Sequence, residues 1–291
     1  MDALKGGKKG VDVISVEGAL ERILAHVEPL GAEKVSLLEA LGRVIVEDIY
    51  ASRDIPPFSN SGMDGYAVIW EDVKEARRDH PVRLEVVEDL PAGFVSRHHV
   101  KRGQAIRIMT GAPLPLGADT VIPVEETTRE NGSVLILRAL ALGEHIRHAG
   151  EDVKKGELVI RQGDLLRPAE VGMLASLGRS SISVYQRPLV AILCTGEELA
   201  DVDEPLGEGK IVSSNSYTLA AQVKDCGAIP MQLGIAKDEK GQIERKLRQG
   251  LRADVLVSSA GISVGDYDLV KDVLKELGME ISALCGDLGR G

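Results

Sequence analysis

Hydroxyl and carboxylate side chains cluster where apolar runs of the chain end. The apolar run 189–194 is followed by Thr195, Gly196, Glu197 and Glu198. A threonine hydroxyl can hydrogen-bond an anion, glycine allows a sharp turn of the main chain, and carboxylate oxygens bind hard cations. Thr195 and Glu198 are therefore candidate ligand-binding residues, although the same pattern also fits an ordinary polar turn after a strand.

The segment 258–268, SSAGISVGDYD, is rich in small and hydroxyl-bearing residues and leads into a predicted helix. Main-chain N–H groups at the start of a helix can hold a phosphate or another anion, which makes Ser259, Gly261 and Ser263 candidates for such a site. The segment matches neither a Walker A loop nor a dinucleotide-binding GxGxxG sequence. Asp268 could bind a cation or simply cap the helix that follows.

Two stretches of the first half also combine a turn with polar side chains. Residues 54–68, DIPPFSNSGMDGYAV, form a long polar loop that is stiffened by two prolines, carries Asp64 and leads into a strand. Residues 108–113, IMTGAP, end a strand in a turn at Thr110, and Asp238 follows another apolar strand. Taken singly, each stretch is better explained as an ordinary loop or turn, so none of them identifies a function alone.

The spacing of apolar residues predicts different architectures for the two halves. In the first half, a helix capped by Ser15, a short helix at Ser36 with Glu39 in its capping box, a strand around 44–46 and a helix opened by Pro168 accompany short strands over 82–159. In the second half strands and helices alternate, which favours a parallel sheet with helices on both faces. The predicted elements are strand 189–194, helix 217–226, strand 230–235, helix 241–250, strand 254–257 and helix 268–277. Ligands of such sheets bind beyond the carboxyl ends of the strands, where the polar clusters fall.

Composition narrows the classes of function. A chain of 291 residues suggests about two domains, and 44% hydrophobic with 27% charged residues is typical of a globular protein. A net charge of −10 without a basic stripe argues against nucleic-acid binding, and no apolar run is long enough to span a membrane. Three widely spaced cysteines without a CxxC pair argue against a disulfide framework or a zinc site and fit a reduced cytoplasm.

Five motifs occur together in a fixed order, which is far more specific than any one of them. They are PPFSNSGMDGYA (56–67), RIMTGAPLP (107–115), Arg147 with GED (150–152), TGEEL (195–199) and GISVGDYD (261–268). From about residue 12 to residue 278, this series resembles the molybdopterin molybdenumtransferase family, which includes bacterial MoeA and the C-terminal part of gephyrin.

The resemblance implies an enzyme of molybdenum cofactor biosynthesis that inserts molybdate into adenylylated molybdopterin and releases AMP, with Mg²⁺ as cofactor. It implies a mixed α+β region of helical and β lobes over 12–186 and a three-layer α/β molybdopterin-binding domain with a parallel sheet over 187–291. By position in the motifs, the catalytic residues are Asp64, Thr110, Asp238 and Asp268; the cofactor-binding residues are Thr195, Glu198, Ser259, Gly261 and Ser263; and the metal ligands are Glu198, Asp238 and Asp268.

The resemblance also implies a symmetric homodimer in which the lobe that carries Asp64 and Thr110 covers the molybdopterin-binding domain of the other subunit. These two side chains have no evident partner within their own lobe, which supports the same expectation. Contacts with the molybdopterin adenylyltransferase or with apo-molybdoenzymes, and a cytoplasmic location, are expected as well.

After Gly278 the sequence departs from the family pattern. Residues 279–291 contain neither the family's lysine-bearing KPGKP stretch nor its PGNP loop. We therefore expect an incomplete α/β domain and slow molybdate transfer, whether the cause is a shifted reading frame or a natural truncation. The alternative function is a pterin- or nucleotide-binding protein without turnover. A scaffold role such as gephyrin's is a third possibility, which no added linker or partner-binding segment supports.

Overall fold

The computed structural model describes residues 15–259 and 269–279, and the chain divides into two compact units. We call the unit formed by residues 36–41 and 45–182 the β unit. We call the other the α/β unit; its described residues are 15–35, 42–44, 183–259 and 269–279. The α/β unit is thus discontinuous in sequence. The domain limits given above, 12–186 and 187–291, stay a prediction.

The described residues are mostly strands and turns in the first half, and strands alternate with helices in the second half. No helix among them is long and apolar enough to cross a membrane. In chain order the elements are α1 (Val16–Leu24), β1 (Ala32–Ser36), β2 (Ile49–Tyr50), β3 (Asn60–Ser61), β4 (Gly65–Val68), α2 (Trp70–Val73), β5 (Val82–Leu90), β6 (Gln104–Ile108), β7 (Thr120–Pro123), β8 (Thr127–Glu130), β9 (Ser133–Ile136), β10 (Ile146–Arg147), β11 (Leu158–Ile160), α3 (Pro168–Ser176), β12 (Ser181–Tyr185), β13 (Leu189–Thr195), β14 (Leu199–Ala200), β15 (Ile211–Val212), α4 (Ser214–Asp225), β16 (Ile229–Ala236), α5 (Lys240–Gly250), β17 (Val255–Ser259) and α6 (Leu269–Glu276).

The β unit is built on a six-stranded sheet with the order β7-β4-β6-β5-β9-β8. Strand β4 pairs antiparallel with both β6 and β7, and all four of its residues are buried. The two faces of β4 contribute to different apolar clusters, since Tyr66 and Val68 pack in one and Ala67 in the other. This is the alternation of side chains that a strand imposes. A Cβ on Gly65, at the start of β4, would lie 2.1 Å from the carbonyl oxygen of Ile122, so the β4–β7 pairing requires glycine there.

The core of the α/β unit is a parallel sheet with the order β16-β13-β17, which confirms the predicted parallel sheet. The central strand β13 is apolar and almost fully buried. Its Leu193 packs in a cluster with residues of α5 and α6, among them Ile243 and Val273. The next residue, Cys194, points to the opposite face because successive strand side chains alternate, and there it lies beside the first residues of α4.

Several local predictions are confirmed and others are wrong. Helix α1 begins after Ser15, whose hydroxyl accepts a hydrogen bond from the N–H of Gly18, as expected of an N-cap. The helix predicted at Ser36 is instead a turn, although the Ser36 N–H and hydroxyl do donate to Glu39 Oε2 at 3.1 and 2.7 Å. Gly42, with φ of +72°, ends that turn before a helix can form.

Two element boundaries also differ from the predictions. The strand predicted around 44–46 is reduced to bridge residues at 44 and 45. Helix α4 begins at Ser214, three residues earlier than the predicted start at Tyr217. Its first turn is polar, so the apolar spacing that located the helix is visible only from the second turn onward.

Candidate active site

Asp64 and Thr110, which the sequence places 46 residues apart, hydrogen-bond each other in the β unit. The Oδ1 atom of Asp64 accepts a bond from the Thr110 N–H at 2.8 Å and another from the Thr110 hydroxyl at 2.7 Å. The expectation that these two side chains lack a partner in their own lobe is therefore wrong, because each is the partner of the other. That argument for a dimer falls away.

Hydrogen bonds from Thr110 hold the pKa of the Asp64 carboxyl below its ordinary value. The main-chain N–H contributes most, the hydroxyl of Thr110 comes next, and the positive charge of Arg107 adds to both. Asp64 is therefore ionised at neutral pH. Since both bonds end on Oδ1, the Oδ2 atom receives no hydrogen bond from the described residues. It could accept one from a ligand or bind a cation.

The main chain around this pair is fixed by further hydrogen bonds. The N–H of Gly111 donates to the carbonyl of Ser61 at 2.8 Å, and the N–H of Ser61 donates to the carbonyl of Ala112 at 3.0 Å. Gly111 has φ of +84°, which suits glycine in the turn after β6. The two motifs around Asp64 and Thr110 are thus joined by main-chain bonds, and the geometry of the pair does not depend on side-chain contacts alone.

Arg147, singled out in the third motif, forms a cluster with the two acids that follow it. Its Nε and Nη2 atoms donate to Glu151 Oε1 at 2.5 Å and to Asp152 Oδ2 at 2.7 Å, respectively. The hydrogen bond from Arg147 holds the pKa of Glu151 below its ordinary value, with help from the N–H of His148. The charge of Arg147 is therefore neutralised within the loop. The motif is best explained as a set of ion pairs that stabilises the conformation of this loop.

The α/β unit contains a cavity of about 140 Å³ at the carboxyl ends of β13 and β17, beside the first turn of α4. This is the edge at which parallel sheets bind ligands. Its described lining residues are Cys194, Glu198, Leu199, Ile211, Val212, Ser213, Ser214, Asn215 and Ser259. We refer to it as the α4 cavity. Two of the predicted site residues, Glu198 and Ser259, lie in its wall.

The position of Glu198 is set by the turn at Gly196. This glycine has φ of +152°, and a Cβ built on it would lie 2.6 Å from Glu198 Oε2 and 2.7 Å from Oε1. The carboxylate therefore rests against the bare main chain of Gly196. Thr195, in contrast, is the last residue of β13 and is 2% exposed, and it is absent from the described lining of the cavity. Asp238 is exposed after β16, where its N–H donates to Glu197 Oε1 at 3.3 Å.

The first residues of α4 are functional candidates that the sequence analysis missed. Ser213 is 3% exposed, and its Oγ atom has no hydrogen-bond partner among the described residues. The side-chain Nδ2 of Asn215 donates to Ser259 Oγ at 3.2 Å and thereby joins α4 to the end of β17. The signal was present as the run SSNS, which contains residues that favour helix starts. It was overlooked because the helix was predicted to begin three residues later.

The predicted metal ligands are not all described. Asp268 lies outside the described residues, as do the predicted cofactor-binding residues Gly261 and Ser263. Within 15–259 and 269–279, no group of three or more His, Cys, Asp or Glu side chains is placed to hold a metal ion. Glu198 and Asp238 therefore do not complete a metal site by themselves.

Two family models match this chain. The first, described as the MoeA N-terminal region (domain I and II), matches residues 14–178. The second, described as a probable molybdopterin binding domain, matches residues 191–286. Together the two family models match residues of both the β unit and the α/β unit.

Named relatives cover most of this chain, but the chain covers only part of them. A molybdopterin molybdenumtransferase from a Nostoc species is 42% identical over 86% of this chain and 57% of its own length. One from Bacillus subtilis is 37% identical over 92% of this chain and 64% of its own length. A solved structure of a molybdopterin biosynthesis MoeA protein from Pyrococcus horikoshii superposes with a TM-score of 0.78 at 39% identity, covering 85% of this chain and 66% of that one. The chain thus spans about three fifths of the two named transferases.

Proposed function

The chain belongs to the MoeA family, and on that premise we propose that it acts in molybdenum cofactor biosynthesis as a molybdopterin molybdenumtransferase. The proposed reaction inserts molybdate into adenylylated molybdopterin and releases AMP. Its relatives carry that name, and the chain spans about three fifths of their length. The activity is therefore a proposal for this chain.

The observation that supports the proposal best is the α4 cavity. It lies at the carboxyl edge of the parallel sheet and joins a carboxylate, Glu198, to two hydrogen-bonding side chains, Asn215 and Ser259. Leu199 and Val212 add apolar side chains to the lining. Such a mixture of apolar surface and a few convergent polar groups is typical of a site for a small organic ligand.

Asp64 and Thr110 would take a different part in the reaction. The ionised Asp64 carboxylate cannot donate a proton at neutral pH, so it would accept a hydrogen bond or bind a cation through Oδ2. The role of Thr110 would be to hold that carboxylate, since its N–H and hydroxyl both donate to Oδ1. We therefore place Asp64 at the reacting groups and Thr110 as the residue that positions it.

Mg²⁺ is part of the proposal through Glu198, Asp238 and Asp268, the residues that the family pattern marks. Bound with a phosphate, the ion would offset the negative charge that these carboxylates and the substrate bring together. The two described carboxylates would supply oxygen ligands but do not form a complete site on their own. Asp268, phosphate oxygens and water would complete the coordination.

Reconstitution of a molybdenum-free apo-enzyme tests the proposed activity. The assay combines the purified 291-residue chain with adenylylated molybdopterin, Mg²⁺ and molybdate. We expect slow but measurable transfer, and we expect Asp64→Asn to lower it by about a further 10²-fold, because the charge on the reacting groups is lost. Asp89→Asn is the matched control, since Asp89 is an exposed acid of the same unit that pairs with Arg129.

The outcomes separate the proposed transferase from the alternative. Binding of adenylylated molybdopterin without turnover, equal for the wild type and Asp64→Asn, would favour a pterin-binding protein without catalysis. Equal loss in Asp64→Asn and Asp89→Asn would show a general effect of acidic charge rather than a site at Asp64.

Assembly and location complete the proposal. We propose a homodimer, contacts with the molybdopterin adenylyltransferase or with apo-molybdoenzymes, and a cytoplasmic location. Family membership supports these expectations; the hydrogen bond between Asp64 and Thr110 removes one earlier reason for the dimer. Light scattering at micromolar concentration tests the assembly, and a monomer mass would contradict it.

A further inference from the structure

We propose that the first turn of α4, with Ser213, is the part of the α4 cavity that binds a phosphate group of the substrate. This inference rests on the proposed function, because it assumes that the cavity takes a phosphorylated pterin or nucleotide. It assigns the phosphate to a helix terminus that the family motifs described above do not include. The residues that carry it are Ser213, Ser214 and Asn215.

The first observation is the chemistry of the α4 N-terminus. The helix is 12 residues long, and its N-cap residue Ser213 makes no side-chain cap hydrogen bond to the described residues of the helix. The first turn carries no acidic residue. The first N–H groups of a helix have no partner within the helix, and the aligned peptide dipoles make this end positive. A tetrahedral anion bound there would satisfy these groups.

The second observation is the burial of the Ser213 hydroxyl. Ser213 is 3% exposed, yet its Oγ atom has no hydrogen-bond partner among the described residues, and Ser213 lines the cavity. A buried hydroxyl without a partner is unfavourable, so native proteins rarely keep one without a reason. A phosphate oxygen in the cavity would accept a hydrogen bond from this hydroxyl.

The contacts around Ser213 show that its hydroxyl is not required by the fold. The main-chain N–H of Ser213 donates to the carbonyl of Ala200 at 3.0 Å, and its carbonyl accepts from the hydroxyl of Ser216 at 2.7 Å. These bonds fix the main chain and leave the Oγ atom, which is itself buried, without a partner among the described residues. Removing the hydroxyl should therefore cost the folded protein little, while removing the hydroxyl of Ser216 should cost it one hydrogen bond.

Glu198 is the charged residue in the described lining, and its carboxylate would repel a bare phosphate. A divalent cation bound between the two would remove that repulsion. The Nζ of Lys210, which donates to the carbonyl of Glu197, adds a positive charge to the same turn. Phosphate binding in this cavity should therefore be stronger with Mg²⁺ than without it.

Calorimetric titration with AMP tests the inference on the full chain. In the presence of Mg²⁺, we expect Ser213→Ala to weaken AMP binding by about tenfold, the usual loss for one hydrogen bond to a charged group. The Tm of Ser213→Ala should equal or exceed that of the wild type. Ser216→Ala is the matched control from the same helix, and it should lower the Tm slightly and bind AMP as the wild type does.

Two further ligands decide what the cavity recognises. Adenosine lacks the phosphate, so it should bind the wild type and Ser213→Ala equally. Molybdate is also a tetrahedral dianion, and displacement of AMP by molybdate in the wild type but not in Ser213→Ala would assign the site to molybdate instead. Wild-type binding of adenosine as tightly as AMP would overturn the inference.

A purely structural role for Ser213 would give a different pattern. If its hydroxyl caps the helix in solution, Ser213→Ala would lower the Tm and leave AMP affinity unchanged, which would also overturn the inference. In that case molybdate transfer by the reconstituted system would continue in Ser213→Ala, so the proposed function would stand. Loss of transfer in the wild type itself would instead contradict the proposed function.

Discussion

The Asp64–Thr110 pair and the α4 cavity differ in whether the protein itself satisfies their polar groups. Asp64 Oδ1 receives two hydrogen bonds from Thr110, and main-chain bonds hold both loops. In the cavity, Ser213 Oγ has no partner within the described residues, and no side chain among them caps α4. A carboxylate held at Oδ1 by two donors keeps its geometry without a ligand, whereas a hydroxyl without a partner can gain one on binding. In the β unit the Asp64 carboxylate is thus already held in place. In the α/β unit the Ser213 hydroxyl still lacks a hydrogen-bond partner among the described residues.

The largest effect on stability is expected from a change in the main chain beside the Asp64–Thr110 pair. Gly65→Ala places a Cβ 2.1 Å from the Ile122 carbonyl oxygen, and main-chain atoms cannot move away without losing the β4–β7 pairing. We expect a loss of about 3 kcal/mol in the free energy of unfolding, measured by chemical denaturation. Gly62→Ala is the control in the same loop, because its nearest atom is 3.4 Å away. Equal effects would show that the pair does not depend on this strand.

A smaller effect is expected from Gly196→Ala, which alters the wall of the α4 cavity. Gly196→Ala would push the Glu198 carboxylate aside, since the new Cβ lies 2.6 Å from Oε2, and would strain a φ of +152°. We expect AMP binding with Mg²⁺ to weaken by about tenfold and the Tm to fall by a few degrees. Gly207→Ala, whose new Cβ would have Lys210 Cγ 3.9 Å away as its nearest neighbour, should change neither. Unchanged AMP binding in Gly196→Ala would remove Glu198 from the site.

The mildest test uses the pH dependence of the satisfied pair. The pKa of Asp64 is lowered from its ordinary value of 3.8, so its ionised form stabilises the folded state. That stabilisation is present above the unfolded pKa and is lost as the pH falls through the folded pKa. The Tm of wild type should therefore exceed that of Asp64→Asn at neutral pH, and the difference should shrink below about pH 3.8.

Thr110→Val sharpens this test because it removes the hydroxyl donor and leaves the N–H donor of the pair. Its Tm difference from the wild type should follow the same pH profile with a smaller amplitude, since the N–H is the larger cause of the pKa shift. A pH-independent difference for both variants would mean that the carboxylate charge contributes nothing to stability.

The sequence predicted the elements of the α/β unit better than their boundaries. An apolar run of strand length predicted 189–194, and β13 spans Leu189–Thr195. The alternation of strands and helices predicted the parallel sheet, but periodicity carries no information about the neighbour order β16-β13-β17. The polar first turn of α4 hid its true start, and with it Ser213 and Asn215.

The sequence marked individual candidate residues of the site but did not predict which of them contact each other. Motif spacing marked Asp64, Thr110 and Glu198, whereas the bond between the first two joins residues 46 apart and depends on how β4 and β6 pair. The helix predicted at Ser36 failed for a related reason. The capping-box bond between Ser36 and Glu39 forms, but such a local bond is equally compatible with a turn. Contacts with the rest of the chain decide whether the segment becomes a helix or a turn.

The discontinuity of the α/β unit has a consequence for synthesis on the ribosome. Residues 15–35 and 42–44 belong to the same unit as the described chain from 183 onward, with the β unit in between. At translation speeds of about 5–20 residues per second, the first segment emerges on the order of 10 s before its partners do. During that interval the segment 15–35 has nothing of its own unit to pack against. The β unit can fold first, and a nascent chain stalled before residue 183 would carry this segment as an apolar target for chaperones.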